Sequence, residues 1–250
     1  MLTIARFTFL KIFEPAFFFL IGFGAVLSYI TSGTQTLDLS FFSEFSSGEK
    51  SNLDMGALIL IMLSNIIAIF VGSTEIPRDI NTRMITILLS KPISRKKYVL
   101  GRFLGTWGLT AALYAVWLTL LGGFQYFNLP DLFNFQNFAL NYLYIISLAP
   151  ISAVAVTVST YLDDVPAMIV SFLFISISFT MGSVPIMIKV FPNEFANLIL
   201  LFYYLLPNFA YLFRSFEAFY QVIAFLCYCM TLSFIFIKIG TTHFDERDLI

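Results

Sequence analysis

Charge is scarce in this chain. Its 250 residues carry 14 Lys and Arg and 15 Asp and Glu, 12% in all, where a soluble domain carries about 25%. With 59% hydrophobic residues and a mean hydropathy of +0.87, that shortage excludes a soluble globular protein and leaves an integral membrane protein. Histidine is nearly missing. His243 stands alone, which excludes a multi-histidine metal or haem centre within one chain and leaves a solvated surface residue in the tail. Cysteine is limited to Cys227 and Cys229. On a helix two such positions point about 200° apart, which suits neither a disulfide nor a shared metal site, so both are packing residues that face lipid or core. There is no plausible Ser-His-Asp set, no carboxylate pair within a span, and no G-x-x-x-x-G-K-[ST] phosphate cradle. No internal repeat is visible, which weighs against an inverted-repeat secondary carrier. No cleavage-like site follows Arg6, Lys11 and Glu14, so the first hydrophobic run is expected to remain as an anchor.

What the chain does hold is long uncharged runs. They cover Pro15–Leu37, Met55–Thr74, Phe103–Pro130, Leu132–Leu162, Val165–Ile188, Phe195–Phe213 and Ala218–Ile237. Crossing the hydrocarbon core takes about 20 apolar residues as a helix, and six of the seven qualify. The continuous apolar part of Phe195–Phe213 is only Leu198–Leu206, about 14 Å of helix, before Pro207 and Asn208 interrupt it. Asn193–Glu217 is therefore expected to form a re-entrant outer helical hairpin, tolerable only when buried against protein. The fold class is an all-α integral membrane protein of six transmembrane helices in a single domain. Residues 1–14, ended by Pro15, form an amphipathic interfacial helix, and residues 238–250 form a cytoplasmic tail. Six spans put both termini inside, with eleven of the fourteen Lys and Arg; Lys50, Lys189 and Arg214 fall outside, as the positive-inside rule prefers. Thr31–Asp54 is a solvated outer loop, Pro150 is expected to kink the fourth run, and Asp163-Asp164 make a short inner turn.

Seven basic residues fall in Thr74–Arg102: Arg78, Arg83, Lys91, Arg95, Lys96, Lys97 and Arg102. Fixing topology absorbs them, so no nucleic-acid surface is expected. From Glu75 to Leu89 the apolar positions Ile76, Ile80, Met84, Ile87 and Leu88 share one helical face, with Asp79, Arg83 and Ser90 away from it. Pro92 breaks the helix near Ser90–Pro92, and Ser94 is a good N-cap for a second helix running into the third span. The expected shape is a cytoplasmic helix parallel to the membrane, a sharp turn and re-entry. The plain alternative is a loop that only sets topology. Asn65 suits a hydrogen bond between helices or, alternatively, substrate contact. Arg214 and Glu217 suit an exposed pair, and 31 Phe residues suit lipid-facing or hydrophobic cavity surfaces.

The pattern E-x-x-R-D followed by T-R-M-I-T-I-L-L-S-K-P-I-S-R-K-K-Y-V-L-G-R-F-L-G resembles the inner loop of the type-2 ABC transporter permeases. It is most similar to their six-span, copper-enzyme-maturation-like branch, which has the type V exporter fold. LLPNFAYLF at Leu205–Phe213 and FDERDL at Phe244–Leu249 fit the same family. Asn81-Thr82-Arg83 departs from the Gly-Thr pair often found there. The resemblance implies a permease subunit, not itself an enzyme, without cofactor or metal in this chain; ATP and Mg would sit on two copies of a cytosolic ABC ATPase. It implies that 75–102 is a coupling region between spans 2 and 3, with Glu75, Arg78, Thr82, Thr86, Leu88, Leu89, Lys91, Pro92, Ser94, Arg95, Gly101 and Arg102 as the ATPase-coupling residues. It also implies a second permease chain, expected as a homodimer, in a prokaryotic cytoplasmic (inner) membrane. Phe202, Tyr203, Tyr204 and Phe209 are the candidate outer gate of an exporter. The rival readings are an ion-coupled carrier, a membrane-embedded enzyme and a scaffold that moves nothing. The first two need ionisable groups within spans, and the confident runs contain none.

Overall fold

Uncharged runs rich in Leu, Ile, Phe and Ala satisfy their backbone polar groups internally, and in lipid that demand leaves helices as the local solution. A computed structural model describes residues 15–32, 55–83, 94–128, 135–180, 203, 207–209 and 219–246; among the described residues the regular elements are all helices. They are α1 (Pro15–Ser32), α2 (Met55–Asn81), α3 (Arg95–Asn128), α4 (Phe135–Asn141), a 3-10 turn (Tyr142–Ile145), α5 (Leu148–Ser159), α6 (Asp164–Thr180) and α7 (Phe219–Glu246). Gly56–Asn81, Arg95–Asn128, Phe138–Ser159 and Tyr220–Glu246 are long and apolar enough to cross a membrane, and Phe17–Ser32 and Asp164–Thr180 are shorter apolar helices.

Helix α5 is the axis of the bundle. Its sequence LAPISAVAVTVS is rich in small residues, and every position but Val158 is buried. Helices α2, α3, α6 and α7 all pack on it. Between apolar helices in lipid, close packing rather than water exclusion supplies the attraction, and small residues permit the closest approach. Gly72 of α2 lies so near α5 that a Cβ there would sit 2.8 Å from Ala155 Cβ. Gly24 of α1 receives the indole of Trp117, and Gly122 of α3 receives the ring of Phe138. Thr157 Oγ1 donates to the carbonyl of Phe236 on α7 at 2.8 Å, and Ser73 of α2 meets Ser171 of α6 at 3.3 Å.

Contacts at the two ends give the chain direction. The end of α1 (Thr31), the start of α2 (Gly56) and the end of α3 (Leu121) meet at one end. The end of α2, the start of α3 and the end of α7 meet at the other. The α5–α6 turn joins them there, with Tyr161 stacked on His243 at 3.7 Å.

Several boundaries differ from the sequence expectation. Charge ends an apolar run but not a helix: α2 continues seven residues past Thr74, α3 starts eight before Phe103, and α7 continues nine past Ile237. At 1.5 Å per residue these helices run about 40–50 Å and overreach a hydrocarbon core of about 30 Å. The fourth run tightens into a 3-10 turn at Tyr142–Ile145, ahead of Pro150. Pro150 lies in the first turn of α5, where its absent N–H costs little, while its ring excludes the Ile146 carbonyl from a continuous helical ladder. His243 is half-buried against Tyr161, not freely solvated. Cys227 is exposed and Cys229 buried, on opposite faces as their spacing requires. The 1–14 helix, most of the Thr31–Asp54 loop, the break at Ser90–Pro92, and the 193–217 hairpin apart from residues 203 and 207–209 lie outside the described residues, as does the tail beyond Glu246.

Candidate functional site

The feature that departs most from an apolar bundle lies where α2, α3 and α7 meet. Helix α2 carries Glu75 and Asp79 one turn apart, and α3 carries Tyr98 and Arg102 one turn apart. Positions i and i+4 share a helix face, so the two pairs oppose each other across the helix contact. Arg102 Nη1 donates to Glu75 Oε2 at 2.5 Å, while Arg102 Nη2 and the Tyr98 hydroxyl both donate to Asp79 Oδ2. The guanidinium also lies 5.7 Å from the centre of the Tyr98 ring, within cation–π range. Glu75 is 3% exposed, and Asp79 and Arg102 are each 6% exposed. Isolated charges at that depth would be prohibitive, so the pairing is what permits them.

An apolar wall closes the site. Ile76, Tyr98, Val99, Ala153, Val156, Ile237 and Phe244 form a buried cluster distinct from the main core. The ring of Phe244 stacks on Tyr98 at 5.6 Å and 22°. Helix α7 is tied to the start of α3 a second time, since Arg95 Nη1 donates to the Asp245 carbonyl at 2.9 Å and Lys96 pairs with the Asp245 carboxylate at 3.2 Å. The Lys96 pair is largely exposed and adds little by itself. The three helices are thus locked at one end by a buried ionic joint and a surface strap. Among the described residues no group of His, Cys, Asp and Glu is suited to a metal ion.

The expected coupling residues divide sharply here. Glu75, Gly101 and Arg102 are buried in the joint or beside it, and Arg102 reaches Glu75 rather than solvent or headgroups. Asp79, placed by the helical periodicity away from the buried face, is in the joint. Arg78 and Thr82 are exposed, with the Thr82 hydroxyl donating to the Arg78 carbonyl at 2.8 Å. Ser94 takes the N-cap position of α3, its carbonyl accepting the Tyr98 N–H at 3.1 Å, and Arg95 is half-exposed. The expected separate helix from Glu75 to Leu89 is corrected: 75–81 is the end of α2, and the chain turns at Thr82–Arg83, where Arg83 has a φ of 54°. That left-handed conformation is costly for a side chain like arginine and terminates a helix. Thr86, Leu88, Leu89, Lys91 and Pro92 lie outside the described residues.

Of the gate candidates, Phe209 is fully buried against Phe179 of α6, with ring centres 6.1 Å apart, and Tyr203 is half-buried. Phe202 and Tyr204 lie outside the described residues. Asn65 is 4% exposed in α2, and its amide has no hydrogen-bond partner among the described residues. Sequence reasoning missed Asp79, Tyr98 and Phe244. The available signal was the matched i, i+4 polar pairs flanking two apolar runs.

No curated protein and no solved structure matches the chain. A family comparison does match, described as ABC-2 family transporter protein and covering residues 9–249, nearly the whole chain. Helices long and apolar enough for a membrane, with a charged joint at one end, agree with that match. The chain belongs to the ABC-2 family, and is thus a membrane subunit of an ABC transporter, a class that partners with an ABC ATPase.

Proposed function

We propose that this chain is the six-span permease of an exporter, driven by ATP hydrolysis on a separate cytosolic ATPase, and that the joint of Glu75, Asp79, Tyr98 and Arg102 transmits the drive. One observation carries the reading: the joint fastens α2, α3 and α7 together at the end bearing the basic stretch Thr74–Arg102. A force applied to the chain between α2 and α3 then moves three helices as one body, whereas a loosely attached loop would absorb it. The exposed Arg78 and Thr82 are ATPase-facing side chains. Thr86, Leu88, Leu89, Lys91, Pro92, Ser94 and Arg95 extend that surface, while Glu75, Gly101 and Arg102 act behind it.

This end and both termini would face the cytoplasm, as the positive-inside rule prefers, and the family resemblance implies a prokaryotic inner membrane as the setting. Two copies of the chain would bind two ATPases and enclose the pathway between them. Phe202, Tyr203, Tyr204 and Phe209 serve the outer gate, with Phe209 anchoring it on α6. An ion-coupled carrier is the second reading, favoured by carboxylates buried in apolar helices. Arg102 and Tyr98 already engage both carboxylates, which makes ATPase coupling the better fit.

Association is the direct test. The ATPase is expected to co-purify with the wild-type chain, and Arg78→Glu is expected to weaken that association about ten-fold with an unchanged melting temperature. If no ATPase co-purifies, or Arg78→Glu binds it as well as wild type, the reading fails.

A further inference from the structure

We propose that the end of α7 and Tyr161 form a binding site for one phospholipid with a zwitterionic phosphate–ammonium headgroup. The inference rests on the membrane orientation proposed above, which sets that end at the inner leaflet. A groove of about 380 Å³ is lined by Tyr161, Lys238, Ile239, Thr242, His243 and Glu246. Lys238, Thr242 and Glu246 recur every four residues, so one face of α7 presents a cation, a hydroxyl and an anion in that order. Lys238 and Glu246 are both exposed, and neither has an ion-pair partner among the described residues.

The order along the helix matches the ligand. Eight residues separate Lys238 from Glu246, about 12 Å of rise, which two long side chains narrow to the span of a headgroup. Lys238 lies on the membrane side and Glu246 on the water side. A phospholipid carries its phosphate nearer the acyl chains and its ammonium farther out, so phosphate meets Lys238 and ammonium meets Glu246. Above Lys238, Ile223, Met230, Phe234 and Ile235 are exposed, an apolar track for the acyl chains. Tyr161, stacked on His243 and 44% exposed, gives the groove a rigid aromatic wall of the kind enriched at membrane interfaces. Beside the ammonium position Glu246 repels a net-anionic headgroup, so the site discriminates against one.

The test is native mass spectrometry of the intact chain released from nanodiscs holding equal parts phosphatidylethanolamine and phosphatidylglycerol. The expected result is one phosphatidylethanolamine retained per chain, with retention about ten-fold weaker in Lys238→Gln and preference over phosphatidylglycerol lost in Glu246→Gln. Both side chains are exposed, so both variants are expected to fold as wild type; equal melting temperatures verify it. Equal retention of the two lipids by wild type, or retention unaffected by Lys238→Gln, overturns the site. An ATPase that protects the groove from lipid while binding there would assign the surface to protein contact and also overturns it. Because the readout needs neither ATP nor the ATPase, a chain that loses lipid selectivity but still associates with its ATPase overturns this inference alone.

Discussion

Arg102 is the residue on which the charged joint depends. It offers two nitrogens to two carboxylates, and the forked guanidinium is the side chain suited to that geometry. Removing it alone strands Glu75 and Asp79 in an apolar wall, so Arg102→Met is expected to cost about 3–5 kcal/mol of stability, read by denaturation in detergent. Replacing all three charges behaves differently. A triple variant Glu75→Gln, Asp79→Asn, Arg102→Met leaves no uncompensated charge and is expected to melt close to wild type, because a buried ion pair is weak evidence of net stabilisation. If the single variant is as stable as the triple, the joint is not the buried ionic unit described. His243 adds a lesson at this scale. A lone histidine in a tail suggests solvent, but a tail that stays helical to Glu246 carries it onto Tyr161.

At the scale of elements, the packing of α2 on α5 is set by one missing side chain. A methyl at Gly72 would lie 2.8 Å from that of Ala155, so Gly72→Ala is expected to destabilise by about 1–3 kcal/mol. Adding Ala155→Gly is expected to recover part of that loss, and a double-mutant cycle should show coupling of about 0.5–3 kcal/mol. Strict additivity would mean that the helices do not meet there. Helix existence was legible in the sequence because hydropathy is local: every described helix coincides with an apolar run. Helix ends were not. Arg95–Arg102 and Glu75–Asn81 look like loop by charge, but the buried charges among them, Arg102 against Glu75 and Asp79, are matched across a separation of 23 to 27 residues, which no local window can see. The same long-range pairing turned Asp79 inward against its apparent periodicity. At Pro150 the helix gives way to a 3-10 turn over Tyr142–Ile145, the turns preceding the proline, where its ring disrupts the helical ladder. Of the site, Glu75 and Arg102 were legible from the loop motif, whereas Tyr98 and Phe244 become partners only once α3 and α7 are packed.

For the whole molecule, the proposed role is to convert a local push into a three-helix movement. Helix α5 supplies the packed axis, and the joint ties α2, α3 and α7 at one end of it. The triple variant isolates this coupling from folding, since it removes the tie while sparing the core. Membrane topology, ATPase association and the joint then converge on a single measurement: ATP hydrolysis by the ATPase reconstituted with the chain in lipid. With the wild-type chain, hydrolysis is expected to rise above that of the ATPase alone. With Glu75→Gln, Asp79→Asn, Arg102→Met the ATPase should still associate and the chain should still melt near wild type, but the stimulation should fall about ten-fold, the rate equivalent of roughly 1.4 kcal/mol. Full stimulation by a folded, ATPase-bound triple variant would contradict the claim that this buried joint carries the drive.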